Sequence, residues 1–153
     1  MSIAPVVHSV RVRAAPARAF DLFTARMGDW WPKGGTIGAK PHVAIVLEPA
    51  VGGRWFERDA DGHECPWGRV LAWEPPKRAL LAWQLNSRFE YDPAFETELE
   101  ITVAPADGGG SQVTLEHRNL ERFGEAAERI AGQLRGGWPT RVDLYAVFAD
   151  ANP

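Results

Sequence analysis

From His8 to Arg13 apolar and polar residues alternate with the two-residue period of a half-buried strand. After Pro16 the period lengthens, and Ala19, Phe20, Phe23 and Met27 recur at helical spacing. Pro16 suits the first helical turn, and Gly28 is the predicted stop. Asp29 to Pro32 reads as a short irregular or single-turn piece, and Lys33 to Pro41 as a Gly-rich loop. Alternation returns at His42, with Val43, Ile45 and Leu47 on one side and His42, Ala44, Val46 and Glu48 on the other. Turn signals at Pro49 to Gly53, Asp61-Gly62, Pro75-Pro76 and Asp107 to Gly110 divide the middle of the chain into strands. These cover Arg54 to Arg58, Cys65 to Glu74, Arg78 to Leu85, Phe95 to Val103 and Gln112 to His117. Phe123, Ala127, Ile130 and Leu134 restore the helical period. Gly136-Gly137 and Pro139 then predict a kink or two helices, the second running to about Ala149 with Val142, Tyr145, Ala146 and Ala149 on one stripe. Hairpin-linked strands imply an antiparallel sheet, and the helices must cover its apolar face, so the fold class is α+β.

Composition adds a size limit and one anomaly. The 153 residues suit a single domain spanning 1–153, with 45% apolar and 24% charged residues in the ordinary globular range. Seventeen basic against twenty acidic residues give a net charge of -3, without the basic surplus expected of a nucleic-acid binder. No apolar run approaches the ~20 residues of a membrane span, and the N-terminus lacks a signal-peptide core. The single cysteine, Cys65, cannot form an intrachain disulfide, which points to a cytoplasmic location. His63 and Cys65 are too few ligands for a zinc site, so neither metal nor cofactor is predicted. The anomaly is aromatic: seven Trp and seven Phe stand beside only two Tyr.

Strand phase places much of that aromatic content on one face. Trp55 and Glu57 share a side of their strand. Trp67, Arg69, Leu71 and Trp73 share one on the next, and Trp83 falls in with Leu81 and Leu85. His117, in phase with Val113 and Leu115, is expected to point inward. An interior built from Trp55, Glu57, Trp67, Arg69, Trp83 and His117 would be apolar with a few directional polar groups, the usual recipe for a small-molecule pocket. Trp30 and Trp31, in an irregular connection before the Gly34-Gly35 loop, are candidates for its mouth, and Trp138 and Tyr145 for its helical wall. The bland alternative is that these rings only pack a core. Glu57 and Arg69, if buried, require partners and are candidates for a mutual ion pair or for ligand contacts. His117 is a candidate base and Tyr145 a candidate proton donor, but no Ser-His-Asp or paired-carboxylate arrangement accompanies them.

Several separated motifs add a resemblance covering about Val10 to Phe148. They are Phe20-Asp-Leu-Phe23, Trp30-Trp31-Pro32, Val46-Leu-Glu-Pro49 with Gly52-Gly-Arg-Trp-Phe-Glu57, and Trp67-Gly-Arg-Val-Leu-Ala-Trp73-Glu-Pro-Pro76. Val113-Thr-Leu-Glu-His117 and Gly137-Trp138 complete the set. Together they resemble the heat-shock-protein ATPase activator-homologue branch of the START-like (SRPBCC), polyketide cyclase/dehydrase and lipid-transport superfamily. The resemblance implies a helix-grip fold of the birch-pollen-allergen type. In it a curved antiparallel sheet of about seven strands surrounds a C-terminal helix, with short N-terminal helices beside an internal cavity. Burial of a small hydrophobic or aromatic molecule in that cavity is the leading functional expectation. Alternatives are a cyclase/dehydratase-like enzyme, with His117 or Glu57 moving a proton, and a stress-related, chaperone-regulating protein acting through its outer surface. No pattern marks an interface, and a homodimer stays open.

Overall fold

A computed structural model describes residues 2–153. The chain begins with strand β1 (Val6–Val12), helix α1 (Pro16–Thr24) and the single-turn helix α2 (Met27–Trp30). Six more strands succeed them: β2 (His42–Leu47), β3 (Arg54–Asp59), β4 (Glu64–Glu74), β5 (Arg78–Trp83), β6 (Thr97–Pro105) and β7 (Ser111–Arg118). A 3₁₀ segment, Leu120–Ala126, leads into the long helix α3 (Ala127–Asp150). The sheet order is β1-β7-β6-β5-β4-β3-β2, every pair antiparallel. It curls into a half-barrel against α3, the expected helix-grip arrangement. The crossover from β1 to β2 carries α1 and α2 from one edge of the sheet to the other. No helix among the described residues is long and apolar enough to cross a membrane.

The alternation read from sequence holds throughout β6 and β7. Thr97, Leu99, Ile101 and Val103 face inward on β6, as do Ser111, Val113, Leu115 and His117 on β7. Elsewhere three extra residues reset it, because a bulge places two residues opposite one and shifts all beyond it to the other face. Val43 is the extra residue on β2, so His42 joins Ile45 and Leu47 in the interior while Val43 is exposed. Trp67 and Leu71 are extra on β4. Trp67, Val70 and Trp73 therefore contribute to the core, whereas Arg69, in register with Arg54 and Ala82, turns outward. The expected shared face of Trp67, Arg69, Leu71 and Trp73 is thus corrected.

Both predicted glycine breaks are corrected as well. The first helix ends at Thr24, whose Oγ1 donates to the Phe20 carbonyl at 2.8 Å. Gly28 lies inside α2, where an added Cβ would come within 2.7 Å of the Ile45 backbone nitrogen; its role is close approach to β2. At the other end, α3 runs unbroken through Gly136, Gly137 and Pro139. Pro139 can donate no backbone bond to Arg135, but both Arg135 and Gly136 are exposed to water. Trp138 and Val142, buried on either side of the proline, hold the helix to the core. The chain breaks earlier, at Gly124 (φ 65°, ψ -130°), before the first α-helical turn.

Candidate functional site

Five of the seven tryptophans form a closed circuit. Trp31 meets Trp67 (ring centroids 5.0 Å apart), Trp67 meets Trp55 (5.4 Å) and Trp55 meets Trp83 (5.9 Å). Trp83 then meets Trp138 (5.7 Å), which returns to Trp31 (5.7 Å). Edge-to-face and tilted geometries dominate, the arrangement aromatic quadrupoles favour. Trp73 stands apart against Phe20 at 5.1 Å, and Trp30 connects Trp31 to Phe23 and Tyr145. A pocket of about 340 Å³ opens beside this circuit, within the ~300–1,000 Å³ range of small-molecule sites. Trp31, Trp67, Trp83 and Trp138 line it. The loop after α2 adds Gly35, Thr36 and Ile37, and the segment ending β5 adds Leu85 and Phe89. Helix α3 supplies Gln133, Leu134, Gly137, Trp138 and Arg141, one face at helical spacing. Trp55, fully buried, forms the layer beneath.

The polar candidates take different places. Glu57 is buried and accepts three hydrogen bonds, from Trp67 Nε1 (2.8 Å) and the backbone amides of Ile37 (2.8 Å) and Gly38 (3.2 Å). These donors satisfy the carboxylate without a cation and tie β3 and β4 to the loop at the pocket rim. Arg69 is not its partner: on the outer sheet face it donates to Glu96 at 2.7 Å. The bulge at Trp67 separates the two. On that same outer face Arg118 reaches Glu98, Glu100 and Glu116, so the acidic stripe of β6 is paired as well as solvated.

His117 lies behind Trp83 and Trp138 and does not line the pocket. An indole N–H can only donate, so the 3.0 Å contact from Trp138 Nε1 assigns the lone pair to His117 Nδ1. The proton therefore sits on Nε2, which donates to Thr97 Oγ1 at 2.7 Å. Burial lowers its pKa from the usual histidine value to about 3, so the imidazole is neutral. Tyr145 Oη donates to the Ala19 carbonyl at 2.8 Å, and burial raises its pKa further above the ordinary tyrosine value. Trp30 Nε1 donates to the Leu22 carbonyl at 3.1 Å. Both side chains join α1 to the core away from the pocket lining.

Arg141 carries no mark in the sequence pattern, yet it belongs to the pocket wall. Its guanidinium stacks 5.0 Å from the Trp31 ring centroid, and Nη1 donates to the Gly137 carbonyl at 3.3 Å. Gly35 makes room for it, since a Cβ there would lie 2.7 Å from Nη2. Gln133, Gly137 and Arg141 lie at i, i+4 and i+8, a signal visible only if α3 is read as continuous.

The sequence family described as "Activator of Hsp90 ATPase homolog 1-like protein" matches residues 13–145. The chain belongs to that family. Among solved structures, the "anthrahydroquino-Gama-pyrone synthase Txn09 complexed with SUM" is 36% identical, covers 97% of each chain and has a TM-score of 0.65. CalC from Micromonospora echinospora, described as a self-sacrificing resistance protein, is 28% identical over 97% of this chain and 95% of its own, with a TM-score of 0.73. Protein MLL2253 from Mesorhizobium loti, at 20% identity and a TM-score of 0.69 over 97% and 98% of the chains, shares the fold. No curated protein sequence matches. Membership in the activator-homologue family and these similarities agree with the polyketide cyclase-like character of the resemblance.

Proposed function

We propose that this protein binds a planar aromatic small molecule of the polyketide type in the tryptophan-walled pocket. The observation that carries this reading is the set of four indoles around one opening of about 340 Å³. Flat apolar walls suit a fused-ring ligand, and apolar burial contributes roughly 25 cal/mol per Å², part of which offsets the cost of association. The 36% identity to a protein named as an anthrahydroquino-Gama-pyrone synthase supports the same ligand class. The free, half-buried thiol of Cys65 accords with a cytoplasmic setting. Tryptophan fluorescence and calorimetry with an anthraquinone and a saturated tricycle of similar size test the proposal. Saturable quenching and a clear preference for the aromatic compound are expected; absence of saturable binding by both would overturn it.

A second reading is cyclase-type catalysis, favoured by the synthase name of that 36% identical structure. Its mechanism here would be conformational: the walls hold a reactive chain folded, so that proximity lowers the barrier. His117 has no part in that mechanism as a base, because its free lone pair is occupied by Trp138. Turnover of a linear polyketide substrate, retained in His117→Asn, is the expected signature. Turnover abolished in a folded His117→Asn variant would refute the templating mechanism.

A further inference from the structure

Arg141 is the sole charged side chain lining the pocket among the described residues. Among the described residues no carboxylate lies within 4 Å of it. Six other arginines also lack a carboxylate: Arg11, Arg13, Arg88, Arg122, Arg129 and Arg135. All six are exposed, whereas Arg141 is half-buried. Its protein contacts are one hydrogen bond to Gly137 and the face of Trp31, which leave further N–H donors available on the pocket side. Desolvation lowers its pKa from the ordinary arginine value, with no acidic neighbour to compensate.

A planar guanidinium favours planar oxygen groups, which it can engage through parallel N–H bonds. Trp31 supports one face of the Arg141 guanidinium and the Gly137 carbonyl accepts from Nη1, while the absence of a side chain at Gly35 and Gly137 leaves room for it. The rest of the wall is largely aromatic and aliphatic, so a ligand that meets Arg141 must carry its oxygen at the edge of an apolar ring system.

We propose that Arg141 is the specificity-determining residue of the pocket and selects aromatic ligands bearing an oxyanion, a carboxylate or an ionised phenol, at the ring edge. This rests on the pocket being the ligand site. Gln133, one turn beyond Gly137 on the same face, stands beside the opening as a neutral polar neighbour. Neutral aromatics enter by apolar contact alone and bind more weakly.

The test compares an anthraquinone carboxylate, its primary amide and a hydroxyanthraquinone, using wild type, Arg141→Gln and Arg141→Lys. Calorimetry gives affinities, and circular dichroism checks the unfolding midpoint. Wild type is expected to prefer the carboxylate to the amide by about tenfold or more, the scale of one charge-assisted hydrogen bond. In Arg141→Gln the ratio of carboxylate to amide affinity should collapse to within about twofold, whatever the change in absolute affinity, and Arg141→Lys should recover part of it. For the hydroxyanthraquinone, affinity that rises as the phenol ionises, and loses that rise in Arg141→Gln, adds the phenolate to the class. If both carboxylate and amide bind but Arg141→Gln alters neither the carboxylate preference nor the phenol's pH response, the oxyanion proposal fails and the pocket reading survives. If none of the three binds, both fail together.

Discussion

The indole N–H of Trp138 donates to Nδ1 of His117 at 3.0 Å, and this bond joins the long helix to the last strand. It sets the imidazole tautomer, and it fills the lone pair that a general base would use. Protonation of His117 at Nδ1 must break it, and His117 is fully shielded from water.

Stability should therefore depend on pH. The folded-state pKa of His117, about 3, lies below the ordinary histidine value, so the unfolded chain takes up the proton first as pH falls. The stability contributed by neutral His117 is fully present above about pH 6.5 and is progressively lost between there and about pH 3. Unfolding free energies from denaturant titrations between pH 6.5 and 5, above the carboxylate range, should decline with a slope approaching about 1.4 kcal/mol per pH unit. His117→Asn should flatten that slope. An unchanged slope in the folded variant would show that another group is responsible.

Glu57 is expected to act as a latch on the pocket rim. Glu57→Gln replaces an all-acceptor group with one that presents an NH₂ to at least one of three donors, at a cost of about 1–3 kcal/mol. Hydrogen exchange should accelerate at the amides of Ile37 and Gly38 before it does in β6. Exchange that speeds up equally everywhere would indicate global destabilisation in place of a local latch.

The glycine pair in α3 should separate stability from binding. An added Cβ at Gly136 meets nothing within 4 Å, so Gly136→Ala is expected to stabilise by about 0.5–1 kcal/mol. Gly137 lines the pocket, where an added Cβ meets only the flexible Arg141 guanidinium at 3.2 Å. Gly137→Leu should therefore keep the unfolding midpoint or raise it, while reducing affinity for the neutral aromatic amide at least tenfold. Undiminished affinity would place the ligand elsewhere.

Two neighbours on β4 should behave oppositely. Trp67→Ala removes a fully buried ring and a hydrogen bond to Glu57, with an expected loss of about 3–5 kcal/mol. Arg69→Ala breaks one partly exposed ion pair on the outer sheet face, worth about 1 kcal/mol or less, and leaves ligand binding unchanged. A binding defect in Arg69→Ala would contradict the outward placement of its side chain.

The sheet was legible because most of its strands keep a clean period of two. The inward set of β6 and β7, including His117, could be read directly from alternation. Four site candidates, Trp31, Trp67, Trp83 and Trp138, line the pocket, while Trp30, Trp55, Glu57, His117 and Tyr145 support it from the core and Arg69 faces away. Arg141 is hidden in the sequence because Gly136, Gly137 and Pro139 suggest a broken helix, which obscures the continuity of its face with Gln133 and Gly137.

The order of strands and helices, the antiparallel α+β class and an aromatic interior can be read from the sequence alone, because periodicity and side-chain hydrophobicity are properties of adjacent residues. Which residues meet is a tertiary matter. The bulges at Val43, Trp67 and Leu71 exist only relative to partner strands, and each reverses the faces of the residues beyond it. Helix α3 tolerates its glycines and proline because Trp138 and Val142 bury distant parts of the chain against it, a gain that local propensity does not contain. That packing also brings Arg141 over Trp31, about a hundred residues away in sequence, and so places a charge in a largely apolar wall.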